Sequence, residues 1–580
     1  MFRKFNRGKM LWCITLATLL FAFGCGGPAG APSKLPSAAD NNGLGPTIGT
    51  LAEIFASDFI PVRGYGLVGG LNGTGSSECP PQIRTYLEKY LLQHFSGTKV
   101  NIDEIISSPD TAVVIVEGII PPAASQKQRF DIRVIALPGT QTTSLGGGWL
   151  YGADLYEARH LGISIKSLAT TEGPVYVDLL DPNAADARTG YVLGGGSITD
   201  DYKINLALRR PDYRTASQIR NRINERFGYE TAWALAPGSI ELRVPDKYAG
   251  AKGKFIQLVR ATYLAETPEL VEKRIASHIQ KLASSPNKGA NEAALEAIGN
   301  ACLPKLAALI SSSDPEVRFR VARCMLNLGD NQGREALWSI AADKTSPYRV
   351  EAIEAIVSVG PKQDAETLLR GLLRDDDISV RLTACENLIR LNDVTVSQKL
   401  IADSFYLDQI PGAPGQPGKP AVFVWRQNQP RVVLLGSPIY CRGDIFIESP
   451  DGSITINAPA GQQFATIIRK HPRRSDTIIR LQSTLDLADI IQTLCSEPLA
   501  RPSQGGPGLG IPYSTLVALL SQMADSGVFA AEFHASNLPG SRRVEAPRRS
   551  PDGSARTLPA QNSQPGLRRD EPKNLPTVKK

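Results

Sequence analysis

The chain has 580 residues, enough for several domains, with an ordinary globular composition and a net charge of +7. The positive excess is terminal: Arg3, Lys4, Arg7 and Lys9 lie at one end, and ten Lys/Arg against four Asp/Glu lie between Ser541 and Lys580. The body between them is close to neutral, which excludes a folded nucleic-acid surface, and no nucleic-acid partner is expected.

Residues 1–24 read as an export signal peptide, with a basic start and an apolar run from Met10 to Phe23. That run is short for a membrane span. Gly24-Cys25 has the form of a lipobox, so Cys25 is the expected lipidation site, and Gly26 behind it favours the outer membrane. Residues 25–48 are then the lipid anchor and a Gly/Pro/Ala/Ser-rich flexible linker. Export also makes disulfides possible.

Folded sequence starts near residue 49. Gly64, Gly66, Gly69, Gly70, Gly73 and Gly75 are crowded into twelve residues. They include a nominal Gly-x-Gly-x-x-Gly, but a dinucleotide site needs a buried strand before the glycines and a helix after them. Pro61 breaks the stretch in front, Asn72 to Pro81 is turn-rich, and no Gly-Lys-[Ser/Thr] follows. The glycines read as a structural turn in which the backbone visits positive φ or passes close to another backbone.

Pro80-Pro81 opens a helix with Ile83, Leu87, Tyr90, Leu91 and His94 on one side, and His94 reads as a partly buried neutral histidine. Ala112 to Ile120 is an apolar strand stopped by Pro121-Pro122. Phe130 to Ile135 alternates with period two and pairs with it. After Gly194-Gly195-Gly196, Tyr202 to Leu208 is another alternating strand. Pro211, Asp212, Thr215, Ala216 and Ser217 lead into a helix with Ile219, Ile223 and Phe227 inward and Gly228 as its cap.

From 267 to 410 the chain reads as helical and repetitive. Asp314-Pro315-Glu316-Val317-Arg318, Ser346-Pro347-Tyr348-Arg349 and Asp377-Ile378-Ser379-Val380-Arg381 recur about 30 residues apart, and each opens an apolar helix. Ala293 to Gly299 ends an earlier, weaker repeat. Such helix pairs cannot bury their faces alone, so an α-solenoid of HEAT-like repeats is expected. A Pro/Gly linker at 411–420 closes it. Pro430 to Gly436 and Gly452 to Ile456 follow as strands, and Thr484 to Ile491 as a helical segment. Ile511 to Phe533 reads as a Ser514-capped helix ending at Gly527, then a short strand. Residues 536–580 are Pro-, Arg- and Ser-rich and are expected to be a disordered basic tail.

No residue pattern supports catalysis. Five histidines occur, none in His-x-x-x-His spacing. Glu157 and His160 have Glu-x-x-His spacing once, where a di-iron bundle needs it twice. No Gly-x-Ser-x-Gly is present, and Ser96/Lys99 and Ser285/Lys288 lack the companion motifs of Ser-x-x-Lys enzymes. Catalytic residues, metal and cofactors are therefore all expected to be none. Cys302, Cys324 and Cys385 lie on apolar helices and read as buried free thiols. Pairing among Cys79, Cys441 and Cys495 stays open.

Gly64 to Gly75 resembles the "GYGLVVGLNGTGD" signature of the bacterial flagellar P-ring protein family. Further segments agree in order. Ala112 to Pro122 is similar to "AVMVTAELPPFA", Arg210 to Ser217 to "RNPDFTTAS", and Ala234 to Val244 to "ALDAGTVQVRVP". Behind the repeats, Thr484 to Ile491 resembles "ATVADLVDAL" and Ile511 to Phe533 resembles "SPRDLIAILQALKAAGALQAEL". The resemblance implies an α+β fold with discontinuous P-ring-type mixed α/β parts at 49–266 and 421–535, interrupted by the solenoid. It also implies a non-enzymatic structural protein of the basal body, a periplasmic homo-oligomeric ring around the rod at the peptidoglycan layer. The partners it implies are copies of the chain, the rod, the L-ring protein and peptidoglycan. A lipid anchor and a solenoid are departures from the family pattern. They leave an alternative, a lipid-anchored envelope scaffold that binds a protein partner through the repeats and has no flagellar role.

Overall fold

The computed structural model describes residues 43–55, 59–94, 101–158, 166–180, 186–412, 418–471, 474–497 and 508–539. The expected signal peptide, Cys25 and nearly all of the basic tail lie outside them. The fold is α+β, in four units that follow one another along the chain.

The chain begins with a single-turn helix α1 (Ile48–Leu51) and strand β1 (Ala52–Phe55), then enters a closed six-stranded antiparallel barrel. Its strands are β2 (Ile60–Gly69), β3 (Ala112–Ile120), β4 (Arg129–Ala136), β5 (Trp149–Glu157), β6 (Ala169–Pro174) and β7 (Thr189–Ile198), in the order β2-β3-β4-β7-β6-β5. Helices α2 (Pro81–His94) and α3 (Ile102–Ile106) lie between β2 and β3. β4 alternates because Phe130, Ile132, Val134 and Ala136 fill the barrel while its other residues face out. β3 is apolar from Ala112 to Val116 because both of its faces are covered there. Val114 and Val116 point into the barrel, and Val113 and Ile115 pack under Leu87 and Leu91 of α2. The side chain of His94 lies outside the described residues.

The chain then returns to β1. Strands β8 (Ile204–Leu208), β9 (Ala232–Ala236) and β10 (Ser239–Leu242) complete a sheet of order β1-β8-β10-β9. Ile54, Leu206 and Ile240 share its covered face, against Ile219 and Ile223 of α4 (Tyr213–Phe227) and Phe255 and Val259 of α5 (Lys252–Ala261). Gly228 follows α4 at φ 112°, and Phe227 is partly buried.

Eight helices come next: α6 (Pro268–Ser284), α7 (Lys288–Ile298), α8 (Leu303–Ala307), α9 (Pro315–Asn327), α10 (Asn331–Ala342), α11 (Arg349–Val359), α12 (Lys362–Leu372) and α13 (Ile378–Arg390). Side chains cap the first turn of the helices that open two of the repeats. Asp314 accepts from Glu316 N at 2.8 Å and Asp377 from Ser379 N at 2.9 Å. The middle repeat differs, since Tyr348 precedes α11 without a side-chain cap. The recurrent arginines play three roles. Arg318 donates to Ser312 O in its own turn at 3.0 Å, and Arg349 forks onto Asp375 of the next turn. Arg381 leaves the solenoid altogether, as described below.

The helices end at Arg390, not at Ile410. Residues 397–410, expected to be helical, instead form β11 (Ser397–Ile401) and most of β12 (Phe405–Pro411). Their alternating apolar residues Phe405 and Leu407 belong to the core of the last unit, which outweighs the helical run before them. Pro411 likewise closes a strand rather than opening a linker, and 413–417 lie outside the described residues. β13 (Ala421–Trp425) and β14 (Arg431–Ser437) join β12 in a five-stranded sheet. A second sheet is made of β15 (Ile445–Glu448), β16 (Ile454–Ala458), β17 (Phe464–His471) and β18 (Arg474–Thr484). Helices α14 (Leu487–Cys495) and α15 (Tyr513–Asp525) follow, and β19 (Glu532–Ala535) pairs in parallel with β13. The expected Ser514 cap is absent. Pro512 precedes α15, and Ser514 is buried in its first turn while Tyr513 Oη donates to the carbonyls of Trp425 and Arg431.

Polar contacts join the four units into a closed circuit. Lys252 of α5 donates to Ser125 Oγ beyond β3 at 2.8 Å. Arg226 of α4 donates to the carbonyls of Glu296 (2.8 Å) and Ala297 (3.2 Å) of α7. Arg381 of α13 donates to Lys419 O at 2.8 Å and to Glu532 of β19. Asp131 of β4 accepts from Gly194 N and Asn428 N at 2.7 Å each, and Arg426 reaches Asp178 at 2.9 Å. The solenoid is thus held at both ends, as a brace between the first sheet and the last unit.

Candidate functional site

The glycine stretch is only partly a turn. Gly64, Gly66 and Gly69 lie within β2, where small size matters: a Cβ on Gly64 would sit 2.3 Å from Asp154 O. Gly70 (φ 77°) and Gly73 (φ 90°) form the turn proper. Pro61, expected to interrupt the strand, is inside β2 opposite Ile119. The nominal Gly-x-Gly-x-x-Gly thus lies inside an antiparallel barrel strand, and α2 opens only at Pro81, so these glycines do not open a helix as a dinucleotide-binding turn does.

The second predicted group lies elsewhere, at the start of α4. Asp212 Oδ2 accepts from Thr215 N at 2.8 Å and from its hydroxyl at 2.6 Å, which fixes the helix N-terminus. Ala216 is buried under the helix, Ser217 is half-buried, and exposed Pro211 packs over Gly238 of the β9–β10 turn. The two groups occupy different units, the barrel and the first sheet. In the same unit Tyr213 and Tyr229, at opposite ends of α4, and Leu235 of β9 are exposed, at 73%, 88% and 64%. A separate exposed apolar set, Phe446, Phe464 and Ile478, lies on the β15–β18 sheet.

A groove along the solenoid could not be read from the sequence. α7, α9, α11 and α13 run side by side and line a groove of about 1300 Å³, closed at one end by α5. Its floor is charged. Buried Glu292 receives Arg323 through two bonds of 2.6 Å and Arg320 at 3.0 Å. Glu296 meets Lys254 at 3.1 Å and Asn327 at 3.0 Å, and burial lifts its carboxyl above the usual range against the pull of Lys254. Towards α13 the lining carries Glu351, Glu354 and Glu386 together with Arg390. Helical periodicity locates these helices, but not which faces combine into a cavity. Among the described residues, no cluster of His, Cys, Asp or Glu has the arrangement of a metal site, and no helix is long and apolar enough to cross a membrane.

His278 also lines the groove, between Tyr263 Oη (2.9 Å) and Asn291 Oδ1 (3.0 Å). Burial first, then Lys281 and Arg274, holds its imidazole below the ordinary value, while Asn291 opposes this. Folding therefore favours the neutral ring. The stability this provides is full above the unfolded-state value near pH ~6.5 and is lost as pH falls towards the lowered one. Denaturation midpoints measured at pH 7.5 and 5.5 should differ more for the wild type than for His278→Gln. Equal differences would assign the pH response to other groups.

Residues 48–273 match the flagellar P-ring protein family, and residues 275–357 match HEAT repeats. The flagellar P-ring protein of Thermotoga maritima is 31% identical over 210 residues, 34% of this chain and 60% of that protein. That of Geotalea uraniireducens is 29% identical over 230 residues, 36% and 58%. That of Geobacter sulfurreducens is 31% identical over 207 residues, 33% and 54%. The chain spans at most 60% of the length of these relatives. The matched region is the barrel with the first sheet, and the last unit lies beyond it. Residues 48–273 are thus similar to the flagellar P-ring protein family, and the stretch similar to HEAT repeats lies directly behind them.

Proposed function

We propose that the chain is a structural component of the bacterial flagellar basal body, forming the periplasmic P ring around the rod at the peptidoglycan layer. The observation that carries this reading is the match over residues 48–273 to proteins named flagellar P-ring protein. A closed ring is a head-to-tail assembly, so each copy needs two different complementary faces. The exposed apolar sets beside α4 and on the β15–β18 sheet are candidates for them. The rod, the L-ring protein and peptidoglycan are the further partners. Lipid on Cys25 would tie the ring to the outer membrane, and the solenoid groove would take a protein ligand. The glycines from Gly64 to Gly75 and the Pro211–Ser217 segment serve here as scaffold, holding the barrel and α4 in shape.

A second reading has one observation behind it: the matched residues stop at 357, and the solenoid follows where the P-ring match ends. In it the chain is a lipid-anchored envelope scaffold without a flagellar role. Electron cryo-microscopy of basal bodies from cells carrying a tag on the tail separates the two. Tag density on a ring around the rod, with extra helical mass, supports the P ring. Normal rings without the tag, in cells that express the protein, would favour the scaffold. Cys25→Ala should release the protein from the membrane in either case, and unchanged attachment would remove the lipid anchor from both.

A further inference from the structure

Two sheets of the chain are covered on one face and open on the other. In the first, Phe55, Asn205, Glu241 and Trp233 stand opposite one another across β1, β8, β10 and β9, on the side away from α4 and α5. Glu53 lies two residues before Phe55 on the same side, and Leu235 two residues after Trp233. Phe55, Trp233 and Leu235 are all exposed. In the last unit, Phe446, Asn457, Thr466 and Gln482 form one row across β15, β16, β17 and β18, and Glu448, Thr455, Ile468 and Arg480 form the next. Phe464 and Ile478 stand towards the two ends of this face, and both are exposed with Phe446. Ile456 and Ile467 point the other way, into the core.

We propose that the open face of the β15–β18 sheet of one copy packs on the open face of the first sheet of the next copy, an inference that rests on the ring reading above. Each face sets aromatic and aliphatic side chains in water, and each is flat enough to be covered by another sheet at a spacing of about 10 Å. Charge decides which face takes which. On the first sheet Lys203 meets Glu241 at 2.9 Å, while Glu53 has no ion pair among the described residues, so the face is acidic on balance. On the β15–β18 sheet Lys470 lies 3.9 Å from Glu448, while Arg480 has no ion pair among the described residues, so that face is basic on balance. Packing either face on its own counterpart would bring like charges together across an apolar contact, which is costly. Packing one on the other turns Glu53 towards Arg480 and covers both apolar sets. Because the two faces differ, the contact is head-to-tail, and each copy keeps one free face for a further copy.

The test uses the full chain in the cell envelope. Asn205→Cys and Gln482→Cys are combined in one chain that also carries Cys79→Ser, and a short bifunctional maleimide is added. A ladder of linked chains is expected, and neither Asn205→Cys nor Gln482→Cys alone should give one. Separately, Glu53→Arg and Arg480→Glu should each weaken self-association by about tenfold or more, read by sedimentation of the extracted protein. The two together in one chain should restore it, since every contact then pairs Arg with Glu again. Both residues are exposed, so neither change should move the melting temperature. Chains that stay single under the maleimide, or that associate equally well with either reversal, would overturn the proposal. So would a linker that joins position 205 or 482 to a different protein. Tagged rings around the rod that tolerate both single reversals would sink the face pairing and leave the ring reading standing. Association lost in the single variants and restored in the double, in cells whose rings lack the chain, would do the opposite.

Discussion

Glu532→Ala should weaken the join between the solenoid and the last unit far more than Arg381→Met does. Arg381 has no accessible surface, and its guanidinium donates to Lys419 O and Glu532. Removing Glu532 strands a buried cation with a single carbonyl for company, a change that costs about 3–5 kcal/mol. Arg381→Met removes the charge itself and keeps most of the buried volume, so about 1–2 kcal/mol is expected. Glu532 is 44% exposed in that variant's starting structure and can turn to water. Hydrogen exchange of α13 and β19, with urea unfolding, reads both effects. Equal losses would show that packing rather than charge holds the junction.

The second large effect is expected at Gly64. Its position on β2 leaves 2.3 Å between a new Cβ and Asp154 O of β5, at a point where β2 and β5 are out of regular register. A backbone carbonyl cannot swing away as a side chain would, so Gly64→Ala must part the two strands that close the barrel. A loss above about 4 kcal/mol is expected, seen as insoluble protein or a large fall in melting temperature. Gly253→Ala is the control. Gly253 lies in α5 with nothing within 4 Å of the added carbon, and alanine there should be neutral or stabilising by up to about 1 kcal/mol. Wild-type behaviour of Gly64→Ala would mean that the seam is looser than its spacing implies.

The solenoid helices could be read from the chain because their signals are local: Asp314 and Asp377 cap the turns they precede, and the apolar period runs within each helix. The same holds for β3 and β4, and for Asp212 at the start of α4. The strands β11 and β12 were not readable. They follow a long helical run, and although β11 pairs with β12 beside it, the strand that ties this hairpin into the sheet begins at Arg431, on the far side of a Pro/Gly segment. Ser514 misled for a related reason, since Tyr513 is anchored to carbonyls more than 80 residues away and sets where α15 begins.

Taken alone, the sequence determined the repeating helices, the paired strands of the barrel and the segment that relates residues 48–273 to P-ring proteins. These depend on interactions between residues a few positions apart, or on side-chain alternation that any sheet imposes. Only the tertiary structure decided that the repeats brace two other units and that four helices share one groove. It also decided that Arg381, which looks like its two counterparts in the pattern, reaches out of the repeat to Glu532. Such contacts pair residues up to about 300 positions apart, as with Asp131 and Asn428, and no periodicity within either segment encodes its partner.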